Sequence, residues 1–566
     1  MADRDRAADA GEASFRRAVA LLDGLAAAGL ESVVASPGSR STPLALAAAR
    51  CTGLRLHVVA DERSAAFFAL GLVRASGRPA AVIATSGSAP AHWLPAVIEA
   101  CEDEQPLLLL SADRPPELLG CGANQATEQG SLFAVHARGL FALPADATTA
   151  HARDIGRRAA AACLWPRRGP VHINAAFREP LVPADPARCG DWTPGGTAVH
   201  LPGKTTPDLA AVAAAAARLG GRRGAILVGR LRPGDPAAEA AISLAMALDC
   251  AVIADPLSGL RAGSDPRARV LCAADALLRD PAAPIPDWLI RVGLPPVSRV
   301  VEEWAARCPE MLLLAPTPAW SDPLRGARSV LLGDPAATLA VLAAAVSRAG
   351  LKAAEWHVLD QLEAAARQAL AALETPPVEA GLVRAVAAAP AGTPVFVSNS
   401  LVVRDFDSFL ARRSAPLPLY ANRGVSGIDG NLSTAAGLVA GAGRPGIAVL
   451  GDLALFHDLN ALSLCRGLPI VIIVINNGGG AIFGQLQQAR LPEFDRLWLT
   501  GPALDIGGAA ALFGLQHERF DSAAELEQAI LSALVSQHAT LIELVVDRNA
   551  SHAGRNAWWT TPQKRR

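Results

Sequence analysis

The chain has 566 residues, of which 51% are hydrophobic and 19% are charged, and its formal net charge is −1. At roughly 150 residues per domain, this length predicts three to four domains. The composition excludes both extensive intrinsic disorder and a small disulfide scaffold, and the low net charge excludes a whole-protein field that attracts nucleic acid or anionic lipid. Among the 52 basic residues, only Lys204, Lys352 and Lys564 are lysines, so an arginine alone is weak evidence for a binding site.

Short apolar runs alternate along the chain with longer helical patterns that are rich in alanine and leucine. The runs do not alternate apolar with polar residues, which is typical of parallel strands buried on both faces. The helical patterns between them predict an α/β protein with three doubly wound parallel-sheet domains. In chain order, we expect strands at residues 32–35, 80–85, 106–111, 170–174, 225–229, 251–255, 288–292, 329–334, 394–399, 446–451, 470–476 and 541–547.

Two breaks in the pattern predict the domain boundaries. Residues 183–207 are rich in proline and glycine and carry no periodicity, as is typical of a linker. A helical pattern beyond residue 350 ends at Thr-Pro-Pro, before a new series of strands and helices. We therefore expect domains at 1–185, 205–350 and 355–566.

The cysteines and the N-terminal residues predict a cytoplasmic location. None of the nine cysteines forms a C-x-x-C pair, so neither a zinc site nor a redox motif is expected, and unpaired cysteines fit a reducing compartment. The first 14 residues are charged and lack the apolar segment of a signal peptide. No run of 18 uncharged apolar residues occurs in the sequence, so we expect no membrane span.

Two polar turns follow consecutive predicted strands in the third domain. Asp452 follows the first strand and Asn477, 25 positions later, follows the second. Because the carboxyl ends of parallel strands meet at one edge of a sheet, both turns should lie together. Asp452, the Asn477 amide oxygen and the Gly479 carbonyl would give Mg²⁺ three of its six oxygens, and a diphosphate and water would complete the shell. The alternative is that both are merely turns that end strands.

This pair of turns resembles the motif of thiamine diphosphate enzymes, in which Gly-Asp-Gly is followed at a similar distance by Asn-Asn. Leu453 replaces the second glycine. Such enzymes also need a carboxyl group on the aminopyrimidine ring, whose imino nitrogen removes the proton from the thiazolium carbon. Glu62 fits this role, because it follows a strand-like segment and starts a helical pattern. Its alternative role is to stabilise the helix dipole.

Several longer segments are similar to one branch of this group. They include SPGSRSTPLALAAA (36–49), DERSAAFFALG (61–71), SADRPPELLGCGANQA (111–126), NRGVSGIDGNLST (422–434) and GDLALFHDLNAL (451–462). Together they resemble the 2-succinyl-5-enolpyruvyl-6-hydroxy-3-cyclohexene-1-carboxylate (SEPHCHC) synthase family of menaquinone biosynthesis, over about residues 15–550. Gly-Asp-Leu is a mark of this branch, whereas the middle domain matches only loosely.

The resemblance implies a reaction, cofactors and an assembly. Members of the family decarboxylate 2-oxoglutarate and add the resulting succinic semialdehyde unit to isochorismate, without pyruvate as a product. The implied cofactors are thiamine diphosphate and Mg²⁺, or Mn²⁺ in its place. The implied fold has a pyrimidine-binding domain, a central domain and a diphosphate-binding domain. The cofactor lies between the first domain of one subunit and the third domain of another, which implies a homodimer or a dimer of dimers.

The resemblance also implies site residues, carried over motif by motif. Arg404 and Arg423 would bind the distal carboxylate of the 2-oxoglutarate unit, since planar carboxylates favour bidentate arginine contacts. Arg40, Arg114 and Arg299 would bind isochorismate, and the polar neighbours that would orient the ligand are Ser39, Asn124, Gln125 and Ser400. The cofactor would be contacted by Glu62, Ser86, Gly87, Ser88, Ser400, Ile428, Asp452, Leu453, Asn477 and Ile482, with Ile428 bending it and Phe483 completing an apolar wall. For each arginine the alternative is a solvated surface residue.

Three other functions compete with this one. A different thiamine diphosphate-dependent 2-oxoacid decarboxylase or carboligase would share the cofactor residues but would need fewer arginines for carboxylates. A non-catalytic protein of the same fold would be expected to lack Glu62 or Asp452, and both are present. A nicotinamide oxidoreductase would show G-x-G-x-x-G after a first strand, with an acidic residue further on, and we find no such pattern.

Overall fold

The computed structural model describes residues 2–195, 203–373, 376–501 and 504–560. Within these residues the strands form three six-stranded sheets with parallel pairing. The chain divides into two compact units. Unit 1 comprises Met1–Gly203, Asn422–Arg444 and His457–Leu468, and unit 2 comprises Lys204–Ala421, Pro445–Phe456 and Pro469–Arg566. The first sheet belongs to unit 1, and the second and third sheets belong to unit 2.

The first sheet has the strand order β2-β1-β3-β4-β6-β5. The strands at residues 32–35, 80–84 and 107–113 are buried along their whole length, as expected of mostly apolar strands covered on both faces. Its strands are β1 (Ser32–Ala35), β2 (Arg55–Val58), β3 (Ala80–Ala84), β4 (Leu107–Asp113), β5 (Leu140–Leu143) and β6 (Val171–Ala176). The accompanying helices are α1 (Ala2–Ala26), α2 (Thr42–Ala49), α3 (Glu62–Ser76), α4 (Leu94–Glu102) and α5 (Thr149–Leu164).

The second sheet has the order β12-β11-β10-β7-β8-β9. Its strands are β7 (Gly224–Val228), β8 (Ala251–Ala254), β9 (Val270–Leu271), β10 (Trp288–Val292), β11 (Met311–Ala315) and β12 (Ser329–Leu332). Its helices are α6 (Leu209–Ala217), α7 (Pro236–Leu248), α8 (Ala274–Leu277), α9 (Arg299–Ala306) and α10 (Pro335–Arg348). One hydrophobic cluster packs α6, α7 and α10 against this sheet.

The third sheet has the order β14-β13-β15-β16-β18-β17. Its strands are β13 (Val395–Val397), β14 (Leu419–Tyr420), β15 (Gly446–Gly451), β16 (Ile470–Asn476), β17 (Gln516–Phe520) and β18 (Thr540–Val545). The helices along this part of the chain are α11 (Val358–Ala371), α12 (Val378–Ala387), α13 (Leu401–Phe409), α14 (Asn431–Ala442), α15 (Asp452–His457), α16 (Leu462–Cys465), α17 (Ile506–Leu512), α18 (Leu526–Ser536) and α19 (Arg548–Thr560). Of these, α14 and α16 belong to unit 1.

The three parallel sheets confirm the predicted fold class. All twelve predicted strands are present, within a few residues of the expected bounds. The predicted domains 1–185, 205–350 and 355–566 each enclose the strands of one sheet. Their boundaries stay a prediction. Residues 196–202 of the expected linker lie outside the described residues. In the described part of the chain, no helix is long and apolar enough to cross a membrane.

A buried ionic cluster ties three helices of unit 2 together. Arg555 on α19 donates to both carboxylate oxygens of Asp405 on α13, at 2.7 and 2.9 Å, and to Glu379 on α12 at 2.9 Å. All three side chains are buried. Burial raises the pKa of Asp405 to about 7, and the Arg555 guanidinium opposes that rise. The cluster fixes α13, the helix that carries Arg404.

Replacing Arg555 by methionine should destabilise the protein by about 3–5 kcal/mol, because two buried carboxylates lose their cation. The deficit should shrink as the pH falls from 8 to 5, since Asp405, whose pKa is raised, takes up a proton in the folded state. Urea denaturation followed by circular dichroism measures both effects. Arg267→Met is the control, because Arg267 is exposed and pairs only with exposed or half-buried groups. Equal losses for the two variants would contradict the prediction.

Candidate active site

The ends of β15 and β16 bring Asp452 and Asn477 to one edge of the third sheet. Gly451 pairs with Ile475 in the register of these strands. Asp452 begins α15, and its carboxylate accepts hydrogen bonds from Leu453 N at 2.7 Å and from Gly479 N at 2.8 Å. Gly479 has a φ of +119°, and a Cβ there would lie 2.2 Å from the Leu499 carbonyl oxygen, so only glycine fits. The turn after β16 therefore folds around the Asp452 carboxylate.

The oxygen atoms at this edge suit a hard divalent cation. Asp452 is only 4% exposed; burial raises its pKa, and backbone N–H groups of residues 477–479 and Leu453 counteract the rise. Asn477 Oδ1 is buried and has no hydrogen-bond partner among the described residues. The Gly479 carbonyl accepts from Ala481 N at 2.8 Å and keeps a second lone pair. A buried carboxylate, an unpaired amide oxygen and a carbonyl fit Mg²⁺.

We expect Asp452→Ala to weaken binding of thiamine diphosphate with Mg²⁺ by more than a factor of ten. The substitution removes a charged ligand, and a hydrogen bond or contact to a charged group is worth about 1.5–3 kcal/mol. Isothermal titration calorimetry of the cofactor in the presence of Mg²⁺ measures the change. Asp521→Ala is the control, because Asp521 is an exposed carboxylate of the same unit. Unchanged affinity of the Asp452 variant would exclude Asp452 as a ligand.

Other predicted residues of unit 2 lie near strand ends. Ile482 and Phe483 are half-buried in the short helical turn Ala481–Gln485, directly after the glycine-rich turn. Ser400 precedes α13 with a φ of +68°, a strained conformation for a non-glycine residue. Its carbonyl accepts a hydrogen bond from Arg404, which lies one turn further along the helix.

The two predicted arginines of unit 2 differ in their surroundings. Arg404 is half-buried; burial lowers the pKa of its guanidinium, and Asp275, Asp405 and Asp407 raise it. Since arginine keeps its charge in proteins, Arg404 remains a cation at this position. Arg299 starts α9, its side chain is 82% exposed, and it pairs with Glu303 at 2.7 Å. Its role towards isochorismate stays a prediction.

In unit 1, Glu62 occupies the first turn of α3 without capping it. The N-cap residue is instead Asp61, whose carboxylate accepts a hydrogen bond from Ser64 N at 2.7 Å. Glu62 is half-buried, and its carboxylate has no hydrogen-bond partner in the described parts of the chain. Because the neighbouring residue already satisfies the helix terminus, the Glu62 carboxylate is available for a ligand.

A turn after β3 joins two groups of predicted residues. Ser86 Oγ donates to the Gln125 carbonyl at 2.9 Å, and Gln125 Nε2 donates back to the Ser86 carbonyl at 3.0 Å. Gly87 N donates to Gln129 Oε1 at 2.8 Å. A cavity of about 420 Å³ is lined in part by Gly87, Ser88 and Gln125. The structure thus brings predicted cofactor and substrate residues into one pocket.

Arg40 and Arg114 lie close enough to repel each other. Arg40 is buried and donates to the Phe177 carbonyl and to Glu179, both at 2.9 Å. Burial lowers its pKa, and the charge of Arg114 lowers it further. Arg114 donates twice to the Asn124 carbonyl, at 3.1 and 2.8 Å. Two guanidinium groups whose charges interact are suited to an anionic ligand, and the exposed Ser39 directly precedes Arg40.

Arg423 and Ile428 lie on one loop of unit 1, residues 422–430, and both are half-buried. Arg404 belongs to unit 2, so the convergence of Arg404 and Arg423 on one carboxylate stays a prediction. Sequence reasoning missed Glu99, which accepts hydrogen bonds from this loop, and Gln129 beside Gly87. A signal for Glu99 existed, because it is a carboxylate within the apolar helix sequence LPAVIEACE.

Comparisons with known proteins identify relatives of this chain. Two family models match, the N-terminal TPP binding domain of thiamine pyrophosphate enzymes over residues 16–135 and the C-terminal TPP binding domain over residues 408–544. The chain is 41% identical to the SEPHCHC synthase of Dechloromonas aromatica, covering 95% of this chain and 99% of that protein. It is 40% identical to the same enzyme of Geobacillus kaustophilus, covering 94% and 95%.

The fold is also similar to that of a solved structure. Benzoylformate decarboxylase from Polynucleobacter necessarius superposes with a TM-score of 0.70 at 17% identity, covering 94% of this chain and 98% of that one. At this identity the likeness concerns the fold alone. Together with the two domain models, it confirms the predicted thiamine diphosphate-binding fold.

Proposed function

We propose, from the premise that this chain belongs to the SEPHCHC synthase family, that it decarboxylates 2-oxoglutarate and adds the resulting succinic semialdehyde unit to isochorismate. The chain is a thiamine diphosphate-dependent enzyme, and we assign it to menaquinone biosynthesis. The observation that carries the proposal is the Asp452 carboxylate enclosed by the Asn477–Gly479 turn, in a chain 41% identical to a SEPHCHC synthase.

Asp452, Asn477 and Gly479 would hold Mg²⁺, or Mn²⁺ in its place, and through it the diphosphate of the cofactor. The support is chemical, since these groups offer only oxygen atoms and Asn477 Oδ1 has no other partner in the described part of the chain. When bound, thiamine diphosphate supplies a carbon nucleophile and an electron sink for decarboxylation. Leu453, Ile482 and Phe483 give this edge apolar side chains.

Glu62 would exchange a proton with a ring nitrogen of the aminopyrimidine. Its carboxylate has no competing partner among the described residues, and Asp61 already caps the helix. Ser86, Gly87, Ser88, Ser400 and Ile428 are the further residues that we assign to cofactor binding. Their support is the match to family motifs, together with the pocket beside Gly87 and Ser88.

The arginines would select substrates with several carboxylates. Both 2-oxoglutarate and isochorismate are dicarboxylates, and burying an unpaired carboxylate is costly. We assign Arg404 and Arg423 to the oxoacid, and Arg40, Arg114 and Arg299 to isochorismate, with Ser39, Asn124, Gln125 and Ser400 as polar neighbours. The interaction between the charges of Arg40 and Arg114 supports an anion site in unit 1.

The alternative is another thiamine diphosphate-dependent 2-oxoacid decarboxylase or carboligase, which would use the same cofactor residues. Incubation with 2-oxoglutarate and isochorismate, followed by mass spectrometry, tests the choice. We expect SEPHCHC and CO₂ without pyruvate, and no product when thiamine diphosphate or Mg²⁺ is omitted. Turnover of a monocarboxylate 2-oxoacid with no use of isochorismate would favour the alternative. A homodimer or dimer of dimers and a cytoplasmic location complete the proposal.

A further inference from the structure

A buried ionic cluster lies against the loop that carries Arg423, within unit 1. Arg74 on α3 donates to Glu99 Oε1 at 3.1 Å, to Asp103 Oδ2 at 2.7 Å and to Asn422 Oδ1 at 3.1 Å. The side chains of Arg74, Glu99 and Asp103 are 7%, 3% and 8% exposed. One guanidinium thus joins two helices of the first sheet to the first residue of the loop.

Glu99 also binds the backbone of this loop directly. Gly424 N donates to Oε1 at 2.8 Å, and Val425 N donates to Oε2 at 2.9 Å. The contact is tight, because a Cβ on Gly424 would lie 2.5 Å from the Glu99 carbonyl oxygen. A carboxylate that accepts from two successive N–H groups fixes the orientation of both peptide planes. These are the two peptides that follow Arg423.

The loop is anchored on its other side by α14. Asn422 Nδ2 donates to Thr434 Oγ1 at 2.9 Å, and Asn431 Nδ2 donates to the Gly427 carbonyl at 3.1 Å. Between these anchors Val425 and Ser426 are exposed, and Ser426 has a φ of +60°. Two of the described contacts that hold the backbone after Arg423 therefore come from Glu99.

Stability alone does not explain a carboxylate at position 99. Burial raises the pKa of Glu99, and so does the neighbouring Asp103, while Arg74 and the two loop N–H groups lower it. A buried charged pair is often no more stabilising than well-packed apolar residues. What an apolar residue could not do is accept two hydrogen bonds from the loop.

We propose that Glu99 is a positioning residue for the oxoacid substrate: by binding Gly424 N and Val425 N, it holds the Arg423 guanidinium where it binds the substrate carboxylate. This inference rests on the proposed function, in which Arg423 binds 2-oxoglutarate. Glu99 itself does not contact the substrate.

The test compares Glu99→Gln with Asp103→Asn in the full chain with thiamine diphosphate and Mg²⁺. Both substitutions keep the shape of the side chain and remove one negative charge beside Arg74. Glu99 accepts from two loop amides, whereas the described side-chain hydrogen bonds of Asp103 come from Arg74 and Gln105. A glutamine amide presents N–H groups to one loop N–H, so one charge-assisted hydrogen bond is lost. We expect KM for 2-oxoglutarate to rise at least about tenfold in Glu99→Gln, with KM for isochorismate and cofactor affinity nearly unchanged. Asp103→Asn should leave all three values near those of the wild type.

A second variant displaces the loop without altering the cluster's charges. Gly424→Ala places a methyl group against the Glu99 backbone, and we expect the same rise in KM for 2-oxoglutarate. Gly424→Ala therefore tests the inference even if Glu99→Gln fails to fold. If Glu99→Gln and Asp103→Asn change KM equally, or if Gly424→Ala has no effect on it, Glu99 has only a structural role and the inference is wrong.

Hydrogen exchange separates this inference from the proposed function. The amides of residues 424 and 425 should exchange faster in Glu99→Gln than in wild type or Asp103→Asn, as measured by mass spectrometry of the peptide that covers the loop. If the wild type does not convert 2-oxoglutarate and isochorismate, the proposed function fails, and the exchange data still decide whether Glu99 holds the loop. Unchanged exchange in Glu99→Gln would overturn the inference.

Discussion

Replacing Glu62 by glutamine should slow proton exchange at the thiazolium carbon of bound thiamine diphosphate by about 100- to 10,000-fold, the range typical of general acid–base catalysis. Glutamine keeps the size of the side chain and can still form a hydrogen bond, but it cannot take up or release a proton. Cofactor affinity should therefore change little. Hydrogen–deuterium exchange at this carbon, quenched and followed by NMR, measures the rate, and calorimetry measures affinity.

The control for this experiment is the preceding residue. Asp61→Asn keeps a side chain that caps α3 well and removes one carboxylate from the same helix terminus, so the exchange rate should stay near that of the wild type. If the slower exchange in Glu62→Gln came from altered helix stability, Asp61→Asn would show it as well, because Asp61 makes the capping hydrogen bond to Ser64 N. A near-normal exchange rate in Glu62→Gln would leave Glu62 with only an effect on the helix dipole.

The sequence predicts the buried strands well and the edge strands poorly. Strands such as β16 are apolar up to their last residue because helices or other elements cover both faces, and this pattern is visible without a structure. By contrast, β2 and β17 lie at sheet edges and contain exposed residues, including Val58, which is 71% exposed. No uniformly apolar run marks them. β11 is buried, but its sequence MLLLA is as typical of a helix as of a strand.

The parts of the candidate site that follow neighbouring strands were predictable. Asp452 and Asn477 each follow a buried strand, and the parallel pairing of β15 with β16 brings their turns together. The supporting contacts were not predictable, because they join residues far apart in the sequence. Glu99 meets Gly424 across more than 300 positions, and Arg555 meets Asp405 across 150. No local sequence pattern predicts a contact between residues so far apart in the chain.

Truncating Arg404 or Arg423 to alanine should lower kcat/KM for 2-oxoglutarate by about 30- to 1000-fold, or about 2–4 kcal/mol. The distal carboxylate of 2-oxoglutarate has to be neutralised in the cleft, because burying it unpaired costs several kcal/mol. Arg404 is a half-buried cation on the first turn of α13, and Arg423 is half-buried on a loop that Glu99 holds. Lysine at either position should restore only part of the loss, since a point charge cannot form the bidentate contact.

A monocarboxylate 2-oxoacid such as pyruvate gives the internal control, because it lacks the distal carboxylate. Any slow reaction with it should be little changed in the two alanine and two lysine variants. Arg325→Ala in unit 2 and Arg466→Ala in unit 1 remove exposed arginines and should affect neither substrate. The measurement is kcat/KM for both oxoacids in all variants. If kcat/KM falls equally for both oxoacids, Arg404 and Arg423 support the cofactor or the fold. The prediction that these two arginines select 2-oxoglutarate is then wrong.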